Sequence, residues 1–339
     1  MGGGGEDGLM PLPHRVVIAV FPDVDLLDVT GPAEVFALAN QEAPGRAGYQ
    51  VRLAGPTSGE VRTSAGVRLL TDVSFGDVGG QVDTLLVPGA VDMADDGPRA
   101  RIDTDVVAWV RETAPYARRV ASVCVGAHVL AAAGLLDGRT ATTHWSTAAQ
   151  LAADHPSVTV APDPIFVRAD GGRLWTGAGI SACLDLALAL VAEDLGEDVA
   201  LAVARQLVMY LKRQGGQSQF SVPLSRPASA RRDIDELRLW IADHLDQDLS
   251  AEALAARMCL SERHFARVFT QETGASPAAY VEAARVEAAR RLLEGTDDPL
   301  GRVAAAAGFG STETLHRAFR RQLTTTPAAY RRRFRTQTA

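Results

Sequence analysis

The sequence predicts two domains of different class, an α/β parallel-sheet sandwich followed by an all-α domain. Three observations predict this division. Apolar runs alternate with helical patterns over the first 212 residues, an irregular stretch rich in Gly, Gln, Ser and Pro follows, and helical periodicity with an internal repeat fills the remainder. The length of 339 residues suits two domains, and a hydrophobic content of 47% excludes a mainly disordered chain.

Four buried strands are predicted in the first domain, because their apolar runs are nearly continuous. Such runs, separated by helices, indicate a parallel sheet that is covered on both faces. Further helices are expected from Gly126 and over 181–195 and 198–211. The predicted strands lie at 14–21, 49–54, 83–89 and 119–124.

Composition sets the predicted boundaries and the expected compartment. No apolar run is long enough to span a bilayer, the first residues lack the pattern of a signal peptide, and three scattered cysteines favour reduced thiols in a cytoplasm. The predicted boundaries are a flexible glycine-rich arm at 1–13, the α/β domain at 14–212, a linker at 213–230 and the helical domain at 231–335.

The helical part contains two copies of one unit, offset by 50 residues. Pro277-Ala-Ala-Tyr280 recurs as Pro327-Ala-Ala-Tyr330, and Ser261 aligns with Ser311. In each copy, a short Ala-rich helix (251–258 and 302–307) leads through a brief turn to a Ser that is placed as the N-cap of a second helix. Two short helices joined by a tight turn form a helix-turn-helix, so two such motifs are predicted.

The second helix of each copy has a polar face suited to DNA. Phe265, Val268 and Phe269 form the predicted buried stripe in one copy. Leu315, Ala318 and Phe319 form it in the other. Arg on the outward face of a recognition helix can bind guanine through two hydrogen bonds. The alternative is a solvated helical face without a ligand. The candidate DNA-binding residues are Ser261, Arg263, His264, Arg267, Ser311, Thr312, Thr314, Arg317 and Arg321.

The charge distribution favours the DNA interpretation over the solvated face. The whole chain has a net charge of −7, yet residues 301–339 carry eight Arg and one Glu. A basic segment on an otherwise acidic chain is typical of a regulator with a separate nucleic-acid module, although a basic solvated tail has the same composition. Residues 231–335 resemble the DNA-binding domain of the AraC/XylS family of transcription regulators, most specifically over 308–321 and 327–334. This resemblance implies a long helix near 277–293 between the two motifs.

The α/β domain has a candidate ligand site around Cys124. Small residues two before and two after Cys124 permit a sharp strand-to-helix turn, the nucleophile elbow, and the dipole of the following helix is expected to favour the thiolate. Asp28 offers a carboxylate, His144 a base or orienting group, and Gly89 backbone N–H groups for an anion. Strand ends converge on one crevice in an open α/β sheet, so these groups are expected to meet.

These motifs resemble the ThiJ/PfpI superfamily, which has an amidotransferase-like, flavodoxin-like fold. Further matches are Gly31-Pro32 and the run 176–182, and fusion to an AraC-type module resembles the GlxA-like regulators. Peptidase-like members have His directly after the Cys, where this chain has Val125, so the resemblance does not extend to peptidase chemistry. The ligand-binding residues expected on this basis are Asp28, Gly31, Gly89, Cys124, Val125 and His144.

Three interpretations of Cys124 compete: a buried structural thiol, a catalytic nucleophile, and a ligand contact. The first is expected for Cys183 and Cys259, while the elbow disfavours it for Cys124. His144 also fits a core histidine, and Asp28 a helix cap. We favour a ligand contact in a non-enzymatic sensor, because a fused DNA-reading module requires a signal. The alternative is an active cysteine-dependent hydratase or hydrolase similar to isonitrile hydratase.

The predicted function is therefore sequence-specific transcription regulation in response to a small-molecule effector. The predicted partners are double-stranded operator DNA, the effector and a second copy of the chain bound through the sensor domain, with RNA polymerase as a further candidate. No cofactor, metal or membrane partner is predicted.

Overall fold

Parallel pairing of apolar strands builds the first of two units in the chain. A computed structural model describes residues 12–95, 97–209, 231–323 and 325–335. These residues fall into an N-terminal and a C-terminal unit. The predicted linker at 213–230 and the first eleven residues of the predicted arm lie outside the described residues. No helix within the described ranges is long and apolar enough to cross a membrane.

The first unit is a seven-stranded sheet with three small two-stranded ladders. The sheet order is β12-β13-β9-β6-β1-β2-β5, and every pairing within it is parallel except that of β12 with β13. The ladders are β3–β4, β7–β8 and β10–β11. The strands are β1 (His14–Ala19), β2 (Tyr49–Gly55), β3 (Glu60–Arg62), β4 (Arg68–Leu70), β5 (Val73–Ser74), β6 (Val82–Val87), β7 (Val91–Ala94), β8 (Gly97–Ala100), β9 (Ala117–Ser122), β10 (Thr140–Ala141), β11 (Thr159–Val160), β12 (Phe166–Ala169) and β13 (Leu174–Gly177).

Within the described residues of this unit there are six α-helices, and the connections between parallel strands contain most of them. The expectation of helices after Gly126 and over 181–195 is confirmed, whereas the helix predicted at 198–211 ends at Gln206. The helices are α1 (Leu26–Glu42), α2 (Thr104–Thr113), α3 (Gly126–Ala132), α4 (Ala148–Asp154), α5 (Ala182–Leu195) and α6 (Glu197–Gln206).

The four predicted strands are confirmed as β1, β2, β6 and β9, adjacent members of the sheet centre. Most side chains of β1, β6 and β9 are buried, and Ile18, Leu85 and Val120 are at most 1% exposed, whereas β2 is buried mainly at its ends. The sheet is not wholly parallel, however, because β12 pairs antiparallel with β13. Only the short turn Asp170–Gly172 separates these two strands, and a short turn can join antiparallel but not parallel neighbours.

A buried ionic network fastens the sheet to α5. Arg119 on β9 is 1% exposed; its Nε donates to Thr84 Oγ1 over 2.8 Å, and its terminal nitrogens bind Asp194 and Glu193. Asp194 also accepts from the Tyr49 hydroxyl over 3.0 Å. Burial opposes ionisation of Asp194, but Arg119 and Arg118 together outweigh it and leave the pKa of this carboxyl below its usual range. The network therefore joins β9, β6 and β2 to one helix.

In its described residues, the C-terminal unit has seven helices arranged around two small cores. One core gathers Phe265, Phe269 and Tyr280, and the other gathers Leu315, Phe319 and Tyr330. Each core repeats an edge-on ring contact, with centroids 5.3 Å apart for Phe269–Tyr280 and 5.7 Å for Phe319–Tyr330. The helices are α7 (Arg232–Asp243), α8 (Ala251–Arg257), α9 (Glu262–Thr273), α10 (Pro277–Gly295), α11 (Leu300–Ala306), α12 (Thr312–Leu323) and α13 (Pro327–Arg335).

The predicted internal repeat therefore corresponds to two helix-turn-helices, α8–α9 and α11–α12, with α10 as the connecting helix. The second turn is one residue longer, because three residues separate Arg257 from Ser261 and four separate Ala306 from Ser311. Gly308 in the second turn has a φ of +76°, and a Cβ there would lie 1.7 Å from the Leu245 carbonyl oxygen.

The prediction that Cys259 is a buried structural thiol is wrong. Cys259 lies in the first turn with a φ of 53°, and its side chain is exposed. The tight turn directs this residue away from both cores. Cys183, in contrast, is buried as expected, with its Sγ 3.4 Å from the Leu27 carbonyl oxygen.

Removing the carboxylate of Asp194 is expected to destabilise the first unit strongly. Asp194→Asn leaves the buried Arg119 with only the partly exposed Glu193 as a counter-ion, and breaking a buried ion pair costs roughly 3–5 kcal/mol in the free energy of unfolding. Because the pKa of Asp194 is lowered on folding, its contribution is present at neutral pH and is lost as pH falls through the folded value. Denaturant unfolding of parent and variant should therefore converge in acid.

The control for this measurement is Glu60→Gln. Glu60 pairs with Arg68 on the surface, where both side chains are more than half exposed, so the change should cost less than about 1 kcal/mol. Equal losses in the two variants would contradict the role given to the buried network.

Candidate functional site

Cys124 lies in a strained turn between β9 and α3, as predicted for a nucleophile elbow. Its φ is 55°, in the left-handed region that non-glycine residues rarely adopt. Gly179 packs directly against it: a Cβ at this position would lie 2.1 Å from Cys124 Cβ. A Cβ at Gly126 would similarly lie 2.1 Å from the Val87 carbonyl oxygen. The turn is therefore fixed by close backbone contacts that larger residues would prevent.

Two carboxylates lie beside the thiol. Cys124 Sγ is 3.7 Å from Asp25 Oδ2, and Asp28 Oδ1 accepts from the Ile180 backbone N–H over 2.8 Å. Asp28 is 0% exposed, and its Oδ2 is buried without a hydrogen-bond partner. One ligand atom from each of Asp25, Asp28 and Cys124 lies within 4.8 Å of the others, so these three residues are the set in the described ranges that could hold a metal ion.

Asp25 was not among the predicted site residues. It is the N-cap of α1, precedes Asp28 by about one helical turn, and donates its backbone N–H to the Gly89 carbonyl oxygen over 2.9 Å. The i, i+3 spacing of Asp25 and Asp28 is the sequence signal that could have identified Asp25, because residues so spaced share a helix face. The alternative of Asp28 as a helix cap is wrong, since its side chain accepts from the distant Ile180 N–H.

The electrostatics keep the thiol protonated, contrary to the prediction of a thiolate. Burial raises the pKa of Cys124 well above its usual value, and the charges of Asp28 and Asp25 raise it further. Burial also raises the pKa of Asp28 to about 7, with a further contribution from Asp25, and raises the pKa of Asp25 itself. Burial next to carboxylates outweighs the field of α3, a helix of only seven residues.

Of the other predicted residues, Gly89 and Val125 lie at the cluster. A Cβ at Gly89 would lie 2.7 Å from the Val125 nitrogen, so the two backbones touch at the elbow. His144 is half-buried; its Nδ1 is 2.7 Å from Ser146 Oγ, and burial lowers its pKa, with Asp25 opposing. The Cys124 thiol thus interacts with the two carboxylates, Asp25 at 3.7 Å and Asp28, and not with His144.

Gly31 does not belong to the cluster. A Cβ at Gly31 would lie 2.7 Å from Cys183 Sγ and 3.2 Å from Leu184 Cδ2, both on α5. The absence of a side chain at Gly31 thus lets α1 pack closely against α5. Ligand binding by Gly31 stays a prediction.

The two second helices of the C-terminal unit have the predicted caps and faces. Ser261 Oγ accepts from the His264 N–H over 3.4 Å, and Ser311 Oγ from the Thr314 N–H over 3.2 Å. The residues predicted to form the buried stripes are buried. Among the predicted DNA-binding residues, Ser311, Thr312 and Thr314 are half-buried, and those with exposed side chains are Ser261, Arg263, His264, Arg267, Arg317 and Arg321.

Arg321 differs from the other arginines of this surface because it is held by the connecting helix. Its Nε donates to Glu282 Oε1 over 2.9 Å, and a terminal nitrogen binds the second oxygen of the same carboxylate. Gln322 Nε2 also donates to Glu282 Oε1, over 3.0 Å. Glu282 thus joins α10 to the last turn of α12.

Known families match both units of the chain. Residues 14–193 match the DJ-1/PfpI family, and residues 254–333 match a helix-turn-helix domain. The chain is 28% identical over 323 residues to the HTH-type transcriptional regulator GlxA of Rhizobium meliloti, covering 94% of this chain and 96% of the relative. It is 38% identical over 193 residues to isonitrile hydratase of Pseudomonas putida, covering 57% of this chain and 77% of the relative.

A solved structure agrees with the fold. The crystal structure of an AraC family transcriptional regulator from Pseudomonas putida is 21% identical, with a TM-score of 0.50 over 57% of this chain and 100% of that chain. The GlxA-like combination predicted from the sequence is confirmed. The chain belongs to the DJ-1/PfpI family and carries an AraC-type helix-turn-helix domain at its C-terminal end.

Proposed function

We propose that the chain is a sequence-specific transcription regulator whose DNA binding responds to a small-molecule effector held at Cys124. The observation that carries this proposal is the pair of serine-capped recognition helices, with exposed basic side chains, on the same chain as a buried thiol–carboxylate cluster. The nearly full-length likeness to a regulator supports it. The proposed compartment is the cytoplasm, where operator DNA is present.

The proposed sensor is non-catalytic. Its thiol is buried between carboxylates that raise the pKa, and a nucleophile would need the thiolate. The second candidate function is a cysteine-dependent hydratase with an appended DNA-binding module. The elbow at Cys124 and the likeness to isonitrile hydratase favour this second candidate. Loss of the effector by turnover would distinguish it from the first.

Arg317 is proposed to contact a base edge. Arg317→Ala should cost roughly 1–3 kcal/mol at the operator and less on scrambled DNA, because a base contact carries specificity. Arg302→Ala is the matched control. Arg302 lies on α11, is 72% exposed and pairs with Asp298. This substitution therefore also removes one positive charge, but from a helix other than α12. Fluorescence anisotropy on both DNAs measures the difference. A uniform loss across sequences would contradict base reading by Arg317.

Glu282 is expected to restrain Arg321 from DNA phosphates. Glu282→Gln should increase affinity for operator and scrambled DNA alike, because it releases a cation beside the recognition helix. One additional phosphate contact steepens the slope of log K against log salt by about 0.9. Salt titrations of parent and variant test this. A loss confined to the operator would instead indicate that the pair only positions α12.

Cys124→Ala should separate sensing from DNA binding. The variant is expected to bind operator as the parent does, while losing the effector's influence on stability and transcription. A ligand at a hundredfold excess over Kd stabilises its protein by about 2.7 kcal/mol, a shift visible in thermal unfolding. Cys124→Ser should keep part of the response if the thiol is a contact. Turnover by the parent that is abolished in both variants would support the hydratase.

We also propose that the chain is a homodimer paired through its sensor unit, as is common in the superfamily that the sequence resembles. Two recognition helices of unequal charge suggest that one copy alone binds an operator weakly. Light scattering of the full chain should give the mass of a dimer at micromolar concentration. A monomer mass under those conditions would refute the pairing.

A further inference from the structure

The two recognition helices carry opposite charges at one equivalent position. Each helix is twelve residues long and starts directly after a capping serine, Ser261 before α9 and Ser311 before α12. The second residue of α9 is Arg263, whereas the second residue of α12 is Glu313. Both side chains are exposed. The internal repeat therefore reverses its charge at this position.

One turn further along the helices, the two copies agree again. Arg267 on α9 and Arg317 on α12 occupy the same position of the repeat, and both are exposed. Residues four apart share a helix face, so α9 presents two arginines where α12 presents a carboxylate and an arginine. The difference lies in the first turn, and the N-terminal residues of a recognition helix are those that contact base edges.

The Glu313 carboxylate is ionised and held at the start of α12. Hydrogen bonds from its own backbone N–H and from the Ser311 hydroxyl lower its pKa. The Thr312 hydroxyl also donates to Glu313 Oε1, over 3.3 Å. Within the described ranges, Glu313 forms no salt bridge to Arg317 or to another arginine. A carboxylate has roughly four acceptor sites, so this side chain can accept a further hydrogen bond from a partner in front of α12.

A carboxylate on a DNA-binding surface has few favourable partners. Phosphates attract arginine but repel Glu313, because duplex DNA is a polyanion. In the major groove, guanine and thymine present acceptor atoms, and adenine places its N7 acceptor beside its amino group. Cytosine presents only the N4 amino group, which donates to a carboxylate. Cytosine is therefore the base that fits Glu313 best.

We infer that Glu313 selects a cytosine in the half of the operator that α12 reads, and that Arg263 selects a guanine at the corresponding position of the half that α9 reads. This inference rests on the proposed function, because it names the bases that the same DNA-binding surface distinguishes. Residues four apart lie about 6 Å apart along a helix, so the cytosine lies within about two base pairs of the base that Arg317 contacts. The operator is thus not a simple direct repeat.

Selection of binding sites from a random duplex library tests the assignment of Glu313. The full-length parent is expected to enrich cytosine at one position. Glu313→Gln should enrich adenine there, because an amide binds adenine N6 and N7 together, and Glu313→Arg should enrich guanine. The other selected positions should not change. Unchanged base frequencies in both variants would overturn the inference.

Glu252→Gln is the matched control. Glu252 is an exposed carboxylate in the first turn of α8, so the substitution removes the same charge from a helix that is not a recognition helix. It should leave every selected base unchanged. The same change of base in Glu252→Gln and Glu313→Gln would show a general effect of charge and overturn the inference.

Duplexes of fixed sequence measure the size of the preference. Exchange of the selected cytosine for guanine, with its paired base, should weaken binding of the parent roughly tenfold in fluorescence anisotropy. The same exchange should strengthen binding of Glu313→Arg. Equal affinity of the parent for both duplexes would contradict the contact between Glu313 and cytosine.

The change of preferred base separates base reading from a structural role. A carboxylate in the first turn also stabilises the N-terminus of α12, so a loss of affinity alone would fit a weaker helix. A weaker helix does not replace one preferred base by another. A gain of affinity for every sequence in Glu313→Gln, without a new base preference, would show that Glu313 only repels phosphates and would overturn the inference.

The reciprocal substitution tests the other motif. Arg263→Glu should replace guanine by cytosine in the half of the operator that α9 reads, and should leave the other half unchanged. If Arg263→Glu and Glu313→Arg alter the same position, the assignment of one motif to each half is wrong.

Failure of this inference and failure of the proposed function give different results. If the parent enriches a defined sequence that Glu313→Gln and Glu313→Arg leave unchanged, the role of Glu313 is wrong and the regulator stands. If the parent enriches no sequence from the library, sequence-specific DNA binding is wrong and the inference fails with it.

Discussion

The left-handed backbone at Cys124 is the constraint on which the sensor site depends. This conformation costs a non-glycine residue roughly 1–2 kcal/mol, so surrounding contacts must hold it. Gly179 lies against Cys124, Gly126 lies against the Val87 carbonyl, and Thr143 Oγ1 donates to the Cys124 carbonyl over 2.9 Å. These contacts bring the ends of β6, β9 and β13 to one place, and the two carboxylates approach the sulfur from α1.

The two units have opposite electrostatic characters, and each suits a different partner. The sensor site concentrates two carboxylates and a thiol in a buried space, where low solvation makes each charge costly and the protonation states interdependent. The recognition helices present their arginines to solvent, where a polyanion can approach without desolvating a cavity. A small ligand and a long duplex are thus bound by different physical means.

Local patterns predicted the centre of the sheet, the elbow, the serine caps and both buried stripes, because each depends on residues close in sequence. The short sheet strands β5, β12 and β13 were missed, since two to four residues carry little periodicity. The roles of three residues depend on tertiary contacts that are distant in sequence. Asp25 contacts Cys124, Gly31 packs against Cys183, and Arg321 binds Glu282. The thiol of Cys124 stays protonated because burial raises its pKa, and burial cannot be inferred from the dipole of the following helix.

The separate cores of the two helix-turn-helices have an evolutionary consequence. Phe269 and Tyr280 stabilise one motif, and Phe319 and Tyr330 the other, so the buried stripe of each recognition helix packs mainly within its own core. The additional residue in the second turn shows that the copies have already diverged in length. The base sequence in each half of a DNA target can therefore change and be followed by substitutions in the motif that reads it, without a change in the other half.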